Sequence, residues 1–488
     1  MPAGPRLPSA IALLVAAAIA LAAAVPARGA PAVGTTAISG NLVPGQTIEE
    51  RTASYRRIAD AGVSAVRIDF PWIEVEPQGE PRRDWSFERL DAEVEAISRA
   101  GMKVIGILAY GHPDYSTLGG MVDRGPTRGD GIPPFYVGSD QYFPPDDPQD
   151  FAAYAAATAA HFGDEVIAWE VWNEQNGGWR FWAPHEDPAA YADLLCATYA
   201  AVKPIDPETP VLFGGVFFPE VPPGAPGQGG PQFVRNAYAH NPDLGDCYDA
   251  MAYHPYPYPF TAPELDVPVR GSVLSAADQM REAMPPADRA EKPLWITEVG
   301  WPTHARAYGV SEQKQAQYLA RMQIATFADE VPLVTWYTWG DGDDPSGANQ
   351  EAHFGFFRSD GTAKPAVAAM ATFNRVLGGA TLRADLSAAP LFPPRTDVVG
   401  GRRFAYEYET AAERVVAVWW ANESVAEGQG QGPGGGTLTG QTIPVEVPVS
   451  SATVTVTDHL GTDTTVAAVG GKVSLEVGAG PLYVREPR

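Results

Sequence analysis

Ile167-Ala168-Trp169-Glu170-Val171-Trp172-Asn173-Glu174 is a short apolar stretch that ends in a glutamate beside tryptophan, and Leu294-Trp295-Ile296-Thr297-Glu298-Val299-Gly300-Trp301 repeats the form. Each reads as a buried strand with a carboxylate at its end. Outward from these two, the unit recurs. Strands are predicted at residues 34–38, 65–70, 104–109, 167–173, 211–216, 250–254, 294–298 and 334–339. Helical patterns fall between and after them, at 48–60, 87–100, 150–161, 188–202, 231–239, 273–284, 311–328 and 365–376, with Ser311 placed to cap the seventh. Alternating strands and helices predict a parallel sheet with right-handed crossovers. Eight units predict closure into a (β/α)8 TIM barrel over residues 31–378, an α/β fold. An open doubly wound sheet is the alternative, but the first strand lacks the glycine-rich turn such a sheet normally brings.

The barrel segment is longer than the roughly 250 residues of a plain barrel. The excess falls in loops after strands, above all residues 110–147, rich in Gly, Pro, Asp and aromatics. After residue 379 the helical patterns stop. Alternating strands at 403–409, 415–420, 443–449, 453–458, 464–468, 473–477 and 482–485 predict a small β-sandwich over 379–488, packed on the barrel in a structural role. One of Trp419 and Trp420 should be core. A formal GxGxxG at Gly430, Gly432 and Gly435 lies outside any strand-to-helix context and reads as a loop. Asn422-Glu423-Ser424 is a glycosylation sequon.

The net charge of −25 opposes nucleic acid and anionic membranes as partners, since phosphate binding needs clustered Lys and Arg. Hydrophobic content of 45% and charged content of 19% fit a soluble globular chain. At the N-terminus, Arg6, an apolar run from Ile11 to Ala24, and a small-residue site at Val25-Pro26-Ala27 or Ala30-Pro31-Ala32 predict a signal peptide over residues 1–30. The run is shorter than the ~20 residues of a span. The mature chain is expected to be secreted, monomeric and without a membrane span. Two cysteines, Cys196 and Cys247, make no zinc spacing, and whether they meet is open from sequence.

Two carboxylates in one cleft suit glycosidic bond cleavage: one protonates the leaving oxygen, and the other attacks the sugar or activates water. Strand alternation places Ala168, Glu170, Trp172 and Glu174 on one side, and Leu294, Ile296 and Glu298 on one side. A glutamate capping Leu-Trp-Ile-Thr is buried unless its surroundings are polar, and buried charge is costly. Arg67 either pairs with Glu298 or forms a structural ion pair with Glu170 or Asp69. Trp169 and Trp336 should face the helices as core. Trp72, Trp179, Trp182 and Trp301 fall in loops at the face of the two glutamates, where sugar contact is the expectation.

Trp-Glu-x-Trp-Asn-Glu followed downstream by Ile-Thr-Glu-x-Gly-Trp resembles clan A of the retaining glycoside hydrolases, over roughly Val33 to Gly379. The appended sandwich, Glu351-Ala352-His353-Phe354-Gly355 and Gly361-Thr362-Ala363-Lys364-Pro365 resemble family 39, with family 5 as a relative. Glu298-Val299-Gly300-Trp301-Pro302 also resembles families 17 and 53. Gln175 departs from the proline frequent there.

The resemblance implies Glu174 as acid/base, Glu298 as nucleophile and Asn173 as partner of the sugar 2-hydroxyl. It implies Arg67 beside the nucleophile, His254 or Tyr256 as donor to Glu298 or to a sugar hydroxyl, and Trp339 under the minus-one sugar. His112, ending strand three, and Trp301 are further substrate contacts. The expected reaction is a two-step retaining hydrolysis of a polysaccharide or oligosaccharide, with Glu174 protonated and Glu298 ionised at the start. It needs no metal or organic cofactor. A transglycosidase with the same residues and a non-catalytic carbohydrate-binding barrel are the alternatives.

Overall fold

The computed structural model describes residues 34–40, 46–79, 82–117, 140–178, 180–218, 228–266, 271–389, 391–392, 402–421 and 441–488. The predicted signal peptide, most of the 110–147 loop, Trp179, the GxGxxG stretch and the sequon lie outside them. Eight strands form a closed parallel barrel in chain order: β1 (Thr35–Ser39), β2 (Ala65–Pro71), β3 (Lys103–Ala109), β4 (Val166–Asn173), β5 (Val211–Phe218), β6 (Ala250–Pro255), β7 (Leu294–Val299) and β8 (Leu333–Trp336). Closure is made by β1 pairing with β8, Thr35 opposite Leu333 through Ile38 opposite Trp336. The barrel interior is lined low down by small and branched residues such as Ala37, Ala65, Ile105, Ala168, Leu212 and Ala250.

Helices Ile48–Ala59, Glu88–Arg99, Pro148–Phe162, Pro188–Val202, Gly230–His240, Val273–Ala283, Glu312–Ala328 and Pro365–Leu377 surround it. Their starts are set locally. Ser311 Oγ accepts from Lys314 N, Asp187 from Ala189 N and Ala190 N, and Thr47 and Glu50 form a capping box. The eighth strand stops at Trp336, short of the expected 339. Beyond it the backbone pairs with a returning segment instead, Phe356 N donating to Thr338 O and Phe357 N to Trp339 O.

The C-terminal part has two layers. Strands β9 (Thr381–Asp385), β10 (Arg402–Glu409), β11 (Glu413–Ala421), β13 (Thr453–Asp458), β14 (Asp463–Ala467) and β16 (Leu482–Pro487) form one antiparallel sheet, order β14-β13-β16-β11-β10-β9. Strands β12 (Ile443–Pro448) and β15 (Lys472–Val477) form the second layer. β9 escaped the sequence reading because it is a half-exposed edge carrying Arg383 and Asp385.

β11 is buried on both faces. Val416, Val418 and Trp420 join the sandwich core with Val445 and Val473, while Val415, Ala417 and Trp419 join the barrel's outer core. Both tryptophans are therefore core. The joint is also polar: Tyr408 Oη donates to Ile324 O, and Trp419 Nε1 donates to Glu264 Oε1 at 2.8 Å. Glu264 is held from the barrel side by Arg321, with both side chains buried.

Cys196 and Cys247 form a disulfide, with Cα atoms 4.7 Å apart. It ties helix Pro188–Val202 to the turn Leu244–Cys247. No described helix is long and apolar enough to cross a membrane.

Candidate active site

The two glutamates reach the barrel mouth by breaking strand alternation. Trp172 has φ +70° and Glu174 φ +50°, a left-handed region that non-glycine residues enter at a cost. Trp172 is thereby turned outward, its ring 4.8 Å from that of Trp182 and its Nε1 donating to Phe181 O at 2.8 Å. Asn173 and Glu174 both face the mouth. In β7, Leu294 and Ile296 belong to the outer core, while Trp295 packs against the barrel interior. The β7–β8 ladder loses register between Ile296 and Val299, and Glu298, inside this irregularity, lines the mouth.

Below the mouth lies a polar layer centred on Glu170. Its Oε2 accepts from Arg67 Nε at 2.7 Å. Its Oε1 accepts from Arg67 Nη2 at 3.0 Å, Gly215 N at 2.7 Å and Thr297 Oγ1 at 3.1 Å. Arg67 then reaches up: Nη1 donates to Glu298 Oε1 at 2.7 Å and Nη2 to Asn173 Oδ1 at 2.9 Å. Both readings of Arg67 hold together, nucleophile partner and structural ion pair, with Glu170 and not Asp69 as the structural partner. Gly215 is required by close approach. A Cβ there would stand 2.2 Å from His254 Nε2 and 2.7 Å from Glu170 Oε1.

Tyr256 Oη donates to Glu298 Oε2 at 2.9 Å, and His254 Nδ1 lies 2.9 Å from Glu174 Oε1. His254 Nε2 is 3.1 Å from Thr297 Oγ1. With the Thr297 proton committed to Glu170, Nε2 is the donor to Thr297. In a neutral imidazole this leaves Nδ1 an acceptor, suited to a protonated Glu174. A protonated ring would instead add positive charge 3.9 Å from Glu298 Oε2.

Burial pushes the Glu298 carboxyl up, but the charge of a protonated His254, the Arg67 guanidinium and the Tyr256 hydrogen bond together outweigh it and hold it below the ordinary carboxylate range. Ligand atoms of Glu174, His254 and Glu298 lie within 4.8 Å of one another, close enough to grip a cation. The Arg67 guanidinium on Glu298 opposes one electrostatically.

The cleft above holds about 670 Å³. Its aromatic walls are Tyr110, Tyr142, Phe181, Phe217, Tyr256, Tyr258, Phe260, Tyr337 and Phe354, and no described tryptophan lines it. Three residues expected as sugar contacts do not line it. His112 is buried, Nε2 2.7 Å from Glu76 O. Trp301 is fully buried, stacked 5.8 Å from Trp336, its Nε1 donating to Thr261 O. Trp339 packs edge-on to Phe357 at 4.6 Å with the Arg57 guanidinium nearby, and Tyr337 lines the cleft instead.

Trp72 and Trp182 are core as well, Trp72 stacked on Tyr115 at 4.7 Å. Trp169 and Trp336 are core as expected. Sequence reasoning gave no role to Thr297 and Gly215, nor to Arg180 and Glu351, which line the cleft. Thr297 and Glu351 had a signal, Thr297 beside Glu298 and Glu351 opening the Glu351-Ala352-His353-Phe354-Gly355 stretch.

The family described as cellulase (glycosyl hydrolase family 5) matches residues 26–342. No curated protein matches at a significant level. Among solved structures, a family 39 glycoside hydrolase from Bacteroides cellulosilyticus WH2 is similar at 20% identity, covering 93% of this chain and 81% of that one, with a TM-score of 0.65. A monomeric beta-xylosidase from Caulobacter crescentus CB15 is similar at 17%, covering 94% and 97%, TM-score 0.62. A glucosidase from Croceicoccus marinus is similar at 16%, covering 94% and 96%, TM-score 0.61. At these identities the likeness speaks to the fold. The family match spans more than half of the chain: this protein belongs to glycosyl hydrolase family 5 and is a glycoside hydrolase.

Proposed function

We propose that this enzyme is a secreted, monomeric, retaining β-glycosidase that cleaves a neutral poly- or oligosaccharide by double displacement. Glu298 attacks the anomeric carbon while Glu174 protonates the leaving oxygen. Glu174 then takes a proton from the water that releases the sugar. Asn173 holds the 2-hydroxyl, and Arg67 and Tyr256 keep Glu298 ionised and aimed.

The observation that carries this reading is spacing. One carboxylate oxygen of Glu174 and one of Glu298 lie within 4.8 Å of each other. Retaining enzymes keep their two carboxyl groups about 5–5.5 Å apart, whereas inverting ones need roughly 6.5–9.5 Å to admit water. The aromatic walls offer flat faces to several sugar rings, which favours a chain-like substrate. The names of the similar β-xylosidase and glucosidase put xylosides and glucosides first among substrates to try. The N-terminal apolar run and a disulfide, a bond of oxidising compartments, support secretion. The monomeric Caulobacter enzyme supports a single chain.

The test is product formation from β-glucans, xylans, mannans and galactans, with Glu298→Gln as control and proton NMR of the first-formed anomer. Wild-type-only release of β-anomeric product is expected. An α-anomer formed first, or no product from any glycan, would overturn the mechanism.

A further inference from the structure

Three carboxylates line the cleft outside the network above, Asp69, Glu74 and Glu351, and the last two are held by Arg89 and Gln350. Asp69 lies two residues after Arg67 on β2, and strand alternation puts both on the same face. The packing agrees: Val66, Ile68 and Phe70 join the outer core, while Ala65 lines the barrel interior. Asp69 thus stands roughly 6.5 Å beyond Arg67 toward the mouth. It lines the cleft with Ser39, Gly40 and Tyr110.

Arg67, the nearest cation, spends its hydrogen bonds on Glu170, Glu298 and Asn173. Arg89 pairs with Glu74. Among the described residues, no donor reaches the Asp69 carboxylate. Burial pushes it up to about 6, Arg67 pulls it down, and Glu298 and Glu170 push it up again. A half-buried carboxylate without a protein donor presents its acceptors to whatever occupies the cleft.

We infer that Asp69 is a substrate-binding and specificity-determining residue, accepting a hydrogen bond from a hydroxyl, other than the 2-hydroxyl, of the sugar held over Glu298. The inference rests on the glycosidase reading. A carboxylate offers only acceptors, and a sugar hydroxyl is a donor that needs no charge of its own. Asp69 works from the β1–β3 side of the cleft, while Asn173 works from β4, so the two grip different hydroxyls of one ring. The Arg67 side chain between them fixes where that ring sits relative to the nucleophile.

The test is a substrate-by-variant cycle. The 4-nitrophenyl β-glycoside that wild type cleaves fastest, from gluco, galacto, manno and xylo forms, is compared with its deoxy analogues on wild type, Asp69→Ala and Asp69→Asn. Wild type should lose roughly 10- to 100-fold in kcat/KM on one analogue other than the 2-deoxy sugar. Asp69→Ala should lose a similar factor on the parent and no more on that analogue, while the other deoxy penalties stay as in wild type. A structural role would lower all substrates alike. Should Asp69→Ala fail to fold, Asp69→Asn should show the same pattern with a smaller loss, since its amide oxygen still accepts but carries no charge. Deoxy penalties unchanged in the variants would overturn the inference while leaving the glycosidase standing. A wild type inactive on every glycoside would overturn both.

Discussion

The guanidinium of Arg67 bridges two carboxylates, donating through Nε at 2.7 Å to Glu170 Oε2 and through Nη1 at 2.7 Å to Glu298 Oε1. The group that organises the barrel's polar layer is thus the same group that holds the proposed nucleophile. Arg67→Met would leave two buried carboxylates facing each other without a cation. Loss of about 3–5 kcal/mol of stability is expected, read as a lower urea midpoint, together with loss of turnover.

Tyr256→Phe removes one of the influences that lower Glu298 against the push of burial. The carboxyl should therefore ionise at higher pH in the variant. In the profile of kcat/KM against pH, the acidic limb should move up while the alkaline limb stays in place. An unmoved acidic limb would detach Tyr256 from the ionisation of Glu298.

Glu174→Gln should act selectively. General acid assistance contributes about 10²–10⁴-fold, and it matters only when the leaving group is a poor one. Hydrolysis of a natural glycan should fall by that order. Formation of the glycosyl-enzyme from a dinitrophenyl glycoside, read as a pre-steady-state burst, should survive. Equal losses on both substrates would remove Glu174 from the acid role.

Gly215→Ala places a methyl group 2.2 Å from His254 Nε2. Overpacking of this kind costs about 1–3 kcal/mol. Because the displaced groups are His254 and Glu170, activity should fall by more than the melting temperature suggests. Circular dichroism melts beside kinetics would separate the two effects.

Reduction of the Cys196–Cys247 disulfide, which spans 51 residues of chain, should cost up to ~4 kcal/mol by the loop-entropy estimate. Thermal melts with and without reductant check it. The Cys196→Ala, Cys247→Ala double variant should melt like the reduced protein.

The barrel was legible because its strands are buried on both faces and read as apolar runs separated by helical periods. Glu170, Glu174 and Glu298 stood out because charge at the end of such runs needs a reason. The side-chain directions were not legible. One positive φ at Trp172 reversed the side on which its ring was expected, and a lost register in β7 did the same near Glu298. The tryptophans misled for a different reason. A large ring in a loop sequence can stack on a sugar or fill the space beneath the loop, and only packing decides. At Trp72, Trp182 and Trp301 packing took the ring, and tyrosine and phenylalanine were left to line the cleft. Gly215 had no signal at all, since what it must avoid comes from β4, β6 and β7.

Strand β16 lies in the middle of its sheet, hydrogen-bonded to β13 on one side and β11 on the other. During synthesis the ribosome delivers residues 482–487 long after the barrel's own last helix. Until they arrive, β11 has an open edge, and Trp419 has no completed sheet behind it to press against Glu264. A nascent chain therefore passes through a stage in which the outer sheet is split in two halves. Trimming the final strand would return the mature protein to that stage.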